Sequence, residues 1–80
     1  MKIPAIKKLI EHYSVKELEK AENDITEGNP LGIEVEGTDE GEQLTHVLAA
    51  IWIHQQMGGQ KIAFTDALRE YTKKVRASIS

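Results

Sequence analysis

Residues 42–57, Glu-Gln-Leu-Thr-His-Val-Leu-Ala-Ala-Ile-Trp-Ile-His-Gln-Gln-Met, decide the fold. At about 100° per residue, Leu44, Val47, Leu48 and Ile51 fall within one arc of a helix, with Trp52 at its margin. Ala49, Ala50, Ile53 and Met57 form a second apolar arc on the opposite side, with His46 among them. A surface helix carries one apolar stripe, whereas a helix apolar on opposed sides is enclosed by others. The pattern therefore predicts an all-α fold built around this segment. The first arc is expected to face the core of its own chain. The second arc (His46, Ala49, Ala50, Ile53 and Met57) is expected to form an oligomer interface, with the paired alanines allowing close approach of two helices.

The case for a second copy is energetic. Eighty residues make one domain, and a domain of that size buries only about 60% of its unfolded surface. Such a core seldom leaves more than about 3–5 kcal/mol of stability. An uncovered second arc would forfeit about 1.5–3 kcal/mol for each large side chain left wet. A two-fold helical homodimer removes that loss, and two-fold pairing is the commonest oligomer symmetry. The alternative is a monomer in which the other three helices wrap around this one.

Outward from the central segment, the punctuation supports four helices in a compact single domain spanning residues 1–80. Gly28, Asn29, Pro30 and Gly32 break the chain once, and Gly58 and Gly59 break it again. Ser14-Val-Lys-Glu17 has the form of a capping box, which separates a first helix (4–12) from a second (15–27). Pro4 suits a first turn, where its missing N–H has no helical partner. Ile3, Ile6, Leu9, Ile10 and Tyr13 give the first helix an apolar side, as Leu18, Ala21 and Ile25 do for the second, with Val15 at its edge. The third is expected over 39–57, with Asp39 as N-cap and acids in the first turn opposing the helix dipole. The fourth is expected over 63–78, where Phe64, Leu68, Tyr71, Val75 and Ile79 recur at helical spacing.

One extended connection interrupts this plan. In Leu31-Gly-Ile-Glu-Val-Glu-Gly37, Ile33 and Val35 alternate with Glu34 and Glu36, a strand period with one apolar side. A lone strand cannot satisfy its own edges. The segment is either a loop pinned by Ile33 and Val35 or a strand paired with a second copy.

Composition excludes several functions. There is no cysteine, hence no disulfide, thiolate metal site or thiol nucleophile. The first ten residues lack the uninterrupted apolar run and cleavage site of a signal peptide. The longest apolar run, Val47 to Ile53, has seven residues, against the roughly 20 needed to span a bilayer. A cytoplasmic location is expected. Net charge is −3, which disfavours a general affinity for nucleic acid. Charge is unevenly placed, since residues 31–43 carry five acids and no base, while 61–80 carry five bases and two acids. Complementary surfaces meeting one another fit that asymmetry.

Candidate sites are few. Glu42 and His46, at i and i+4, could supply half of a metal site completed by another chain, but His54 lies about 12 Å further along the helix. A hydrogen-bonded interface or partly buried histidine is the expected role of His46, and His12 is expected to meet the last carbonyls of the first helix. The acidic run Glu34 to Glu42 lacks the residue order of a calcium loop. It reads as a solvated lead-in to a helix, or as a surface for a basic partner. Arg69, Lys73 and Arg76 line one side of the fourth helix and form a candidate basic partner surface. After the Gly58-Gly59 turn they resemble a DNA-reading helix, but Asp66 and Glu70 lie beside them. Nothing fits a phosphate-cradling loop, Ser14 serves as a cap with Ser78 and Ser80 near the terminus, and the carboxylates are patterned as exposed. No enzyme, no cofactor and no metal are expected.

The stretch from Glu42 to Ile53, with Ala67-Leu-Arg-Glu-Tyr-Thr-Lys-Lys-Val-Arg76 and the Ile33–Gly37 segment, resembles a small family of uncharacterised bacterial proteins of about this length. The resemblance extends over the whole chain and carries no assigned activity or functional residues. It implies an association with bacterial thiol-redox gene neighbourhoods, where a chain without cysteine would be an accessory partner and not the redox catalyst. The expectation is a small non-catalytic bacterial interaction protein acting as a homo-oligomer. The alternative is a nucleic-acid-binding protein using the basic side of its last helix.

Overall fold

The capping box forms as its residue types require. Glu17 N–H donates to Ser14 Oγ at 3.2 Å, and Ser14 N–H donates to Glu17 Oε1 at 3.0 Å. It starts α2 (Val15–Glu27), directly after α1 (Ile3–His12). A left-handed Gly28, φ 76°, closes α2. Gly28 N–H and Asn29 N–H turn back to the carbonyls of Ile25 and Asp24, satisfying acceptors the helix end would otherwise leave open. Two further helices follow, α3 (Glu40–Gln60) and α4 (Phe64–Ile79). The computed structural model describes residues 2–79, without the side chains of Gln60, Ser78 and Ile79. The expected contribution of Ile79 to the apolar stripe, and the roles given to Ser78 and Ser80, lie outside the described residues. All described secondary structure is helical.

α1, α2 and α4 all pack on α3, which is the centre of the molecule. α1 contributes Ala5, Ile6 and Leu9, and α2 contributes Leu18, Ala21 and Ile25. Ala67 of α4 is fully buried, with Phe64, Leu68 and Tyr71 half-buried around it. Tyr71 meets Trp52 of α3 with ring centroids 5.7 Å apart and planes inclined at 52°, a tilted pairing that suits the ring quadrupoles. Ile3, expected on the apolar side of α1, is 48% exposed. It stands at the helix start, where the neighbouring helices do not cover it.

The connection from Asn29 to Asp39 is a loop, and side chains take up the polar groups a strand would have offered. Glu34 N–H donates to the Tyr13 hydroxyl at 3.4 Å. The Val35 carbonyl accepts from Gln43 Nε2 at 3.1 Å, and the Glu36 carbonyl is held by His46 at 2.7 Å. Val35 is buried and Leu31 and Ile33 pack against the core, so of the two open readings the structure takes the pinned loop.

α3 is longer than its sequence signals. Asp39 caps it as expected, with Glu42 N–H donating to Asp39 Oδ1 at 2.8 Å. Gly58 and Gly59 do not stop it, and the helix continues to Gln60. Glycine costs about 1 kcal/mol in a helix interior, and α3 carries that cost at two exposed positions. The turn into α4 instead falls on Lys61, left-handed at φ 54°.

Candidate functional site

α3 has two sides, and the structure assigns them in the reverse of the expected order. His46, Ala49, Ala50 and Ile53 have no exposed surface within a single chain, and Met57 is half-buried. These residues are the core, not an interface. Ala49 and Ala50 bring in the chain's own helices, as small side chains permit. The opposite arc is the open one: Leu48 is 43% exposed, and Leu44, Ile51 and Trp52 are half-buried. Only Val47, at the edge of that arc, is buried as expected.

His46 is a hydrogen-bonded core histidine. Lys2 N–H donates to Nε2 at 2.9 Å, and Nδ1 lies 2.7 Å from the Glu36 carbonyl. A backbone amide only donates and a carbonyl only accepts, so the ring carries its proton on Nδ1. Lys2 is the N-cap of α1 and has no side-chain cap bond. One ring therefore ties the start of α1 and the loop before α3 to the centre of the fold. Both ring nitrogens are committed, and the Glu42 carboxylate accepts from Thr38 N–H at 3.0 Å. The half metal site drawn from Glu42 and His46 is thus engaged in local structure. Among the described residues no group of three or more histidines, cysteines or carboxylates is placed to hold a metal ion.

The acidic segment serves the helix start in the same way. Asp39 is the cap, Glu42 reaches back to Thr38, and Glu34, Glu36 and Glu40 are exposed. His12 is exposed and tilts toward Tyr13, 6.4 Å between ring centroids. The α1 carbonyl at Leu9 is taken by Tyr13 N–H instead.

Arg69, Lys73 and Arg76 lie together on the exposed side of α4, where with Thr65, Leu68 and Thr72 they line a shallow groove of about 370 Å³. Arg69 and Lys73 also border a cleft of about 470 Å³ between α3 and α4, floored by Trp52 and Ile62 and joined by Gln56, Asp66 and Glu70. The rim of this cleft therefore carries two cations and two carboxylates. That mixture suits a protein surface and not a run of phosphates, which demands one sign of charge. Burial raises the Tyr71 phenol above its usual value by desolvation.

The residues that sequence reasoning missed are those of the open arc. Their signal was present: from Gln43 to Gln60, α3 contains no Asp, Glu, Lys or Arg. No helix among the described residues is long and apolar enough to cross a membrane. A family model described as "Family of unknown function (DUF6952)" matches residues 1–80. No curated protein and no solved structure matches the chain.

Proposed function

Since the chain belongs to the DUF6952 family of unknown function along its whole length, we propose from its surface alone that it is a small non-catalytic interaction or accessory protein. Its working face is the open arc of α3 with the adjoining side of α4. One observation carries the reading: a helix enclosed elsewhere by its own chain leaves Leu44, Leu48, Ile51 and Trp52 on its remaining side. Interface cores are depleted of charge and enriched in such side chains.

The non-catalytic part of the reading is supported by how the polar groups are employed. Both nitrogens of His46, the Asp39 carboxylate and the Glu42 carboxylate are spent on backbone partners. The basic trio Arg69, Lys73 and Arg76 fits best as the polar rim of the same face.

A photoreactive residue at position 48 tests the reading in cells of the native host. The expected result is covalent adducts with protein from position 48 and none from position 19, on the exposed side of α2. No adduct from position 48, in cells or in concentrated purified protein, contradicts it.

A further inference from the structure

The open arc of α3 has the spacing of a helix-pairing seam. Leu44, Leu48, Ile51 and Gln55 follow at intervals of four, three and four, the repeat with which two helices interlock side chains. The strip is uncharged over the 18 residues from Gln43 to Gln60 and charged at both ends. On its first turn stands Glu40, on the same arc as Leu44; at its end stand Lys61 and, on α4, Arg69, all three exposed. Opposite signs at opposite ends of one apolar strip are what an antiparallel two-fold contact requires, because each end then meets the other end of its copy.

We infer that a second copy of this chain occupies the face, with two α3 helices antiparallel about Leu48 and the acidic start of each set against Lys61 and Arg69 of the other. The inference rests on the reading of this face as an interaction surface. In such a pairing Leu48 meets the partner's Leu48, and Trp52 meets the partner's Leu44. Glu40 and Gln56 each lie eight residues from Leu48, about 12 Å along the axis. The partner's Glu40 therefore arrives beside Gln56, which borders the cleft that Arg69 lines. Asp66 and Glu70 share that cleft and temper its field, so Lys61, beyond the helix end, is the less shielded of the two cations. A strip two helices wide and 21 residues long, about 30 Å, is of the order needed to bury the roughly 800 Å² per partner of a stable dimer.

Paired charge reversal tests the arrangement by sedimentation equilibrium. Lys61→Glu/Arg69→Glu places acid against acid when it self-associates, and Glu40→Lys places base against base. Each alone is expected to weaken self-association at least about tenfold. Mixed in equal amounts, the two restore opposite charge at both ends and are expected to form a heterodimer with wild-type affinity. The neutral pair Lys61→Gln/Arg69→Gln, expected to fall between wild type and reversal, serves if a reversed chain does not fold by circular dichroism. Reversed chains that self-associate like wild type, a mixture that does not heterodimerise, or a wild-type chain that stays monomeric each overturn the inference. Cross-linking from position 48 separates the two readings. An adduct of twice the chain mass supports both, while an adduct of any other mass leaves the interaction surface standing and removes the second copy.

Discussion

Replacing His46 by leucine isolates the two hydrogen bonds that hold the start of α1 and the loop before α3 to the central helix. Leucine keeps the buried site filled with apolar volume, so the cavity term is small, but it leaves Lys2 N–H and the Glu36 carbonyl without their partner at 2.9 and 2.7 Å. An orphaned buried polar group costs about 1–3 kcal/mol. Both bonds are only partly buried, so water reaches the freed groups and the sum lies toward the lower end, about 2 kcal/mol. Against the roughly 3–5 kcal/mol that a domain of this size commands, that is a large fraction. In thermal terms it lowers Tm by about 8–16 °C, at about 4–8 °C per kcal/mol. Urea unfolding followed by circular dichroism measures the loss. Amide exchange localises it: Ala5 and Ile6, whose N–H groups donate to the Lys2 carbonyl, should lose protection before the amides of α2. A loss below about 0.5 kcal/mol, within the range of an ordinary surface change, with unchanged protection at Ala5 and Ile6 would refute the reasoning.

Gly58→Ala should stabilise the fold by about 0.5–1 kcal/mol in urea unfolding, since the position is helical and a Cβ there meets nothing within 4 Å. Gly37→Ala should destabilise by about 1–3 kcal/mol, because φ is +153° and a Cβ would stand 2.8 Å from Gln43 Cγ and 2.9 Å from Gln43 N; a neutral effect would show that the loop shifts freely. The raised Tyr71 phenol sets a sign. Its stabilising contribution is complete below pH 10, where the unfolded phenol ionises, and is lost as pH rises through the higher folded value. Stability should therefore fall above pH 10, and Tyr71→Phe should flatten that fall; an identical alkaline profile in the variant would show that the Tyr71 environment has no part in it.

How much of this was legible in sequence differs by element. α2 was readable to the residue because both ends carry local chemistry, the Ser14–Glu17 box and a left-handed Gly28. The start of α3 was readable from Asp39 for the same reason. Its end was not, because the helix runs through Gly58 and Gly59 against their stop signal, and the turn falls on a lysine. The identity of the two α3 arcs was illegible in principle to periodicity, which reports that both are apolar and not which one the chain itself covers. Three facts outside the periodicity settle it: alanines at 49 and 50 admit close helices, His46 is needed by the Lys2 amide and the Glu36 carbonyl, and Val35 lends its carbonyl to Gln43. The alanines are in the sequence, but the hydrogen bonds join residues 44, 10 and 8 positions apart, which the pattern within one helix does not report. The basic trio was placed correctly on one exposed side of α4, but its neighbours across the cleft, Trp52 and Ile62, depend on how α3 and α4 pack.

In the proposed dimer α3 is closed on one side by its own chain and on the other by a second copy. The mass of the Leu48→Glu chain in solution, measured beside the wild type, tests this most directly. The account predicts a dimer for the wild type and a folded single chain for the variant, with its helix content intact. A variant that keeps the mass of two chains, or a wild type that sediments as one, contradicts it.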